Sequence, residues 1–106
     1  MKRITFSVGH GKTKLGRRIM GKFEKRQLAY AKLADTYEGF TIHFATGGWK
    51  DATGTLIKED SMILSVADTN DLGEGPAVLM AEYLRDLFDQ SCVLMTIEDL
   101  EVVKFI

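Results

Sequence analysis

Apolar and polar residues alternate from Lys2 to Val8, with Ile4, Phe6 and Val8 on one side and Arg3, Thr5 and Ser7 on the other. A period of two is that of a strand with one face buried. The period changes at Lys22. From there to Glu38, Phe23, Gln27, Tyr30, Ala34 and Tyr37 fall near one stripe of a helix, with Leu33 beside it, while Lys22, Lys25, Arg26 and Lys32 point elsewhere. Gly39 stands where a helix C-cap belongs.

Alternation returns with Phe40, Ile42 and Phe44, and the strand runs on towards Trp49 through Gly47-Gly48, where a bulge is expected. Residues 50–54, Lys-Asp-Ala-Thr-Gly, form a turn. A return strand follows from about Thr55 to Ala67, kinked near Glu59-Asp60 and ending in the apolar run 62–66. Pro76, taken as the first helical residue, opens a second helix whose apolar face is Met80, Tyr83, Leu84, Leu87 and Phe88. Glu82, Asp86 and Asp89 form an acidic stripe along it. A last strand covers Cys92 to Ile97, is interrupted at Glu98-Asp99, and resumes over residues 101–106.

The order is β-α-β-β-α-β, the split arrangement called ferredoxin-like. The expected class is α+β: an antiparallel sheet with two helices on one face. Its other face is open to a ligand, a nucleic acid or a second copy. The length of 106 residues suits a single domain, with a basic, glycine-rich loop at 9–21.

Composition changes the picture in two places. A single cysteine, Cys92, cannot form an internal disulfide, and its apolar neighbours make it a buried small hydrophobe. No run approaches the roughly 20 apolar residues of a membrane span, and the N-terminus is too short and broken for a signal segment. The cytoplasm is the expected compartment, a host's if the protein is viral. The net charge of −1 conceals a division: residues 1–32 hold ten basic side chains and one acid, Glu24, whereas residues 33–106 hold four basic side chains and fourteen acids.

Gly9-His10-Gly11-Lys12-Thr13 follows a strand, as the end of a phosphate-binding loop would. The glycine such a loop needs five residues before Gly11 is replaced by Phe6. The basic cluster Lys12, Lys14, Arg17, Arg18, Lys22, Lys25 and Arg26 suits an acidic protein surface or phosphates. It also suits a solvated face beside an acidic second helix. Trp49 is either an exposed anchor or packed across its hairpin. His10 and His43 have no Cys or second His at metal-ligand spacing. His43 opposite Glu59 or Asp60 would make an acid–base pair. No catalytic constellation, metal site or cofactor is expected.

From Gly39 the line Gly-Phe-Thr-Ile-His-Phe-Ala-Thr-Gly-Gly-Trp-Lys, three residues, then Gly-Thr-Leu-Ile-Lys-Glu-Asp-Ser, resembles small bacterial and bacteriophage proteins of unknown function. Their hairpin carries Gly-x-Trp, Gly-x-Leu and Glu-x-Ser before an apolar strand. The resemblance spans about residues 39–106 and implies a ferredoxin-like fold and a small accessory role, with no catalytic residues.

The function expected on these grounds is a non-enzymatic, phage-encoded accessory protein that binds a host or viral protein through the basic cluster and Trp49. The alternatives are a nucleic-acid-binding module, which the acidic majority of the chain disfavours, and a small-ligand or nucleotide-binding domain with His43 on the open face. Opposite charges on the two segments and free edge strands allow a homodimer.

Overall fold

The computed structural model describes residues 1–9 and 22–106. The elements are β1 (Lys2–Gly9), α1 (Lys22–Tyr37), β2 (Thr41–Lys50), β3 (Leu56–Asp68), α2 (Glu74–Leu87) and β4 (Leu94–Asp99). One antiparallel sheet forms in the order β2-β3-β1-β4. This is the ferredoxin-like α+β fold expected from the alternation of periods.

The core lies between sheet and helices. Ile4, Phe6 and Val8 of β1 and Met62, Leu64 and Val66 of β3 are buried against Ala29, Leu33 and Tyr37 of α1 and Ala77, Met80, Leu84 and Phe88 of α2. On α2 the expected apolar face is the packed one. On α1 the packed stripe is turned from the expected one. Ala29, Leu33 and Tyr37 are buried, with Arg26 and Tyr30 half-buried, while Phe23, Gln27 and Ala34 are exposed. The reason is that the chain spends a small residue, Ala29, where the helix meets the sheet and leaves the ring of Phe23 outside.

Registers correct several expectations. The β2–β3 ladder runs unbroken from Thr41↔Ser65 to Lys50↔Leu56, so Gly47-Gly48 forms no bulge and Glu59-Asp60 no break in pairing. Glu98 and Asp99 belong to β4 because Arg3 and Lys2 stand opposite them: Arg3 pairs with Glu98 at 2.6 Å and Lys2 with Asp99 at 3.9 Å. Residues 101–106 are not a strand. Pro76 is the third residue of α2, still within the first turn, where no backbone N–H is needed. The stripe of Glu82, Asp86 and Asp89 ends early, since Asp89 lies past the helix in the left-handed region (φ 52°). Cys92 is exposed rather than buried, because β4 starts two residues after it.

β1 pairs with β3 only as far as Gly9↔Ser61. Beyond that rung the sheet is a two-stranded ribbon capped by the 51–55 turn. There the Asp51 carboxylate accepts from the Thr53 and Thr55 backbone N–H groups and the Thr53 hydroxyl, and Gly54 takes a φ of 82°. No helix among the described residues is long and apolar enough to cross a membrane.

Candidate functional site

At the end of the sheet away from that ribbon, α1 stops and the chain turns into β2. Glu38, not Gly39, takes the left-handed C-cap conformation (φ 69°), its N–H donating to the Ala34 carbonyl at 2.8 Å. Phe40 follows and stacks on Tyr30, ring centroids 5.0 Å apart. These residues face the last turns of β3, and the C-terminal tail brings Phe105 beside them. Together Tyr37, Glu38, Phe40, Thr41, Ser65, Ala67, Thr69 and Phe105 line a cleft of about 400 Å³, a volume suited to a small organic molecule.

The cleft is aromatic and has an acidic rim. Phe40, Tyr37 and Phe105 supply rings, Glu38 supplies a carboxylate, and no basic side chain among the described residues lines it. The last turn of α1 holds no basic residue either, so the negative end of the helix dipole is not neutralised there. A second carboxylate lies beneath. Asp68 is 1% exposed and accepts from the Leu72 and Gly73 N–H groups, both at 2.9 Å, which fixes the loop into α2. Tyr37 is 5% exposed and its hydroxyl has no hydrogen-bond partner among the described residues. Burial, and then the charge of Asp68, push the Tyr37 phenol above its ordinary pKa, so at neutral pH it keeps its proton.

Thr41 and Ser65 also begin a feature the sequence did not advertise. Register places Thr41, Ser65, Thr5 and Thr96 on one rung across all four strands of the open face. The Thr5 and Ser65 hydroxyls are 3.5 Å apart. A polar position every second residue was legible in each strand; that four hydroxyls share a rung depends on registers, which alternation leaves free. A smaller hollow of about 240 Å³ lies between α2 and residues 91–95, lined by Ala81, Glu82, Arg85, Cys92 and Met95 among others.

Lys12, Lys14, Arg17 and Arg18, with His10 and the loop beyond Gly9, lie outside the described residues. Lys22 opens α1 at the end opposite the cleft, and Lys25 and Arg26 are half-buried on that helix. The Arg26 guanidinium sits over the Phe44 ring at 5.0 Å. Trp49 is 51% exposed on the ribbon, opposite Ile57. His43 stands opposite Ile63, whereas Glu59 and Asp60 pair with Gly47 and Thr46, so the proposed acid–base pair does not form. Where α1 and α2 meet, Lys32 lies over the Tyr83 ring at 5.6 Å, a cation–π contact where an ion pair was expected. Among the described residues no group of three or more His, Cys, Asp or Glu is placed to hold a metal ion.

No family model matches the chain. No curated protein sequence matches it. Solved structures do. A phage SAM lyase in complex with S-methyl-5'-thioadenosine is 18% identical, with a TM-score of 0.67 over 92% of this chain and 80% of that one. The same enzyme in its apo state gives 0.63 over 92% and 78%. CutA1 from Pyrococcus horikoshii OT3 is 8% identical, with a TM-score of 0.62 over 98% of this chain and 87% of that one. At such identities the likeness is one of fold. It overturns the expectation of a non-enzymatic docking protein, because a structure this chain superposes on over most of its length is an enzyme. That expectation had rested on the charge division and on finding no catalytic motif, and a site assembled from separate strands leaves no motif to find.

Proposed function

We propose that this chain is an enzyme of the SAM-lyase type, holding S-adenosylmethionine in the cleft beside Tyr37. The chemistry of that cleft carries the reading. S-adenosylmethionine is a flat heterocycle joined to a sulfonium cation, and the cleft offers aromatic rings, a carboxylate and an unneutralised helix C-terminus. Aromatic faces and helix C-termini both attract cations. The likeness to a phage SAM lyase over 92% of the chain supports the same reading.

In such a reaction the bond between sulfur and the methionyl carbon breaks and both electrons pass to sulfur. The sulfonium leaves as the neutral thioether S-methyl-5'-thioadenosine. The remaining fragment is completed by loss of a proton or by closure onto its own carboxylate. Tyr37 keeps its proton near neutrality and lines the cleft. Glu38 and the rings of Phe40 and Phe105 hold and orient the bound ligand.

The test is direct. Purified chain incubated with S-adenosylmethionine is expected to release S-methyl-5'-thioadenosine, resolved by liquid chromatography with mass detection. S-adenosylmethionine left intact at stoichiometric protein, together with no thermal stabilisation of the chain at millimolar ligand, defeats the reading.

A further inference from the structure

We infer that the cleft sorts its ligands by charge at sulfur, with Glu38 and the C-terminal end of α1 as the selecting groups and the rings of Phe40 and Phe105 as a charge-blind contact to the heterocycle. The inference deepens the lyase reading and rests on it for the identity of the ligand. It is argued from the cleft's own make-up.

The observations are independent of one another. Glu38 is exposed at the rim, held in a left-handed conformation, its Oε1 accepting from the Asn70 amide at 3.2 Å. The last turn of α1 ends at that point with no basic side chain to neutralise its carbonyls. Asp68 adds a buried carboxylate below. Tyr37 lines the same cleft, its hydroxyl buried and unpartnered among the described residues. A phosphate would meet this field as a like charge, and Lys22, Lys25 and Arg26 of α1 stand towards the other end of a helix of 16 residues. A sulfonium meets it as an opposite charge. When the carbon–sulfur bond breaks the positive charge disappears, and the thioether loses the attraction that held its precursor. The field therefore acts in capture and release. It favours the charged ground state at least as much as the transition state, so it lowers KM without raising kcat.

The experiment compares four ligands by calorimetry on the intact chain: S-adenosylmethionine, S-adenosylhomocysteine, S-methyl-5'-thioadenosine and AMP. S-adenosylhomocysteine carries the same amino-acid end with a neutral sulfur, so the first two differ by the charge at sulfur and one methyl. Expected is binding of S-adenosylmethionine about tenfold tighter than of S-adenosylhomocysteine, the scale of a partly desolvated cation contact, with AMP bound least. Glu38→Gln is expected to shrink that ratio and to raise KM while kcat does not fall. Glu38→Lys abolishes the ratio and raises affinity for AMP. Phe105→Ala weakens the adenosine ligands alike and leaves their ratio in place. Charge preference in a chain that cleaves nothing supports the inference and removes the lyase reading. Cleavage with a ratio and KM unchanged in both Glu38 variants overturns the inference and leaves the lyase reading standing. Failure of all four ligands to bind overturns both.

Discussion

The Asp68 carboxylate lies close enough to the buried Tyr37 phenol to help hold the proton on it, although no hydrogen bond joins the two. One group is spoken for by the loop into α2. The other lacks a protein partner among the described residues.

Tyr37→Phe separates stability from binding. Deleting a buried hydroxyl without a partner is expected to leave stability unchanged or raise it by up to about 1 kcal/mol, measured by urea unfolding. Affinity for S-adenosylmethionine should be unchanged in the same protein, since the ring that lines the cleft is kept and the deleted hydroxyl is buried. A loss of more than about 1 kcal/mol in stability would mean that the hydroxyl has a structural partner.

The same phenol sets an alkaline limit. Its pKa is raised in the folded chain, first by burial and then by Asp68. The folded state therefore binds the proton more tightly than the unfolded state does. The stabilisation is complete below the ordinary tyrosine pKa of 10.0 and is lost as pH rises through the folded value. Unfolding free energy should fall above pH 10 more steeply in the parent than in Tyr37→Phe. Parallel profiles would place the titration elsewhere.

Asp68→Ala removes the acceptor of two part-buried N–H groups. A cost of about 2–4 kcal/mol is expected, since each orphaned donor costs about 1–3 kcal/mol before relaxation. Urea unfolding gives the loss, and amide exchange at Leu72 and Gly73 should rise ahead of the rest of the molecule.

Asp51 at the ribbon turn is held below its ordinary pKa of 3.8, mainly by the Thr53 hydroxyl and then by the Thr55 N–H. A lowered carboxyl pKa gives stability that is present above the unfolded value and lost as pH falls through the folded one. In a carbon-detected NMR titration Asp51 should titrate below 3.8, and the Thr53→Ala variant should move it upward. An unchanged midpoint in that variant would mean the hydroxyl bond is not made in solution.

Much of the fold was legible because its cause is local. Val8, Phe6 and Ile4 alternate because one face of β1 is buried, and Met80, Leu84 and Phe88 repeat because α2 packs on that face. What local pattern could not convey was which face of α1 docks. Phe23 promised more burial than Ala29, yet close approach of helix to sheet favours the small residue. The candidate site was hidden for a related reason. Tyr37 with Phe40, Ser65 and Phe105 come from three separate stretches of chain, and each alone reads as core, strand or tail. The charge division drew attention to the start of α1, whereas the cleft lies at its other end.

The ribbon beyond the Gly9–Ser61 rung has a mechanical consequence. Among the described residues its amides have a single partner strand and a turn, and a lone two-stranded hairpin is barely stable in water. Opening it requires no disturbance of Phe6 or Leu64. Deuterium should therefore enter at Gly48 and Lys58 by a local route, at a rate indifferent to denaturant, while Phe6 and Leu64 exchange only with the whole molecule.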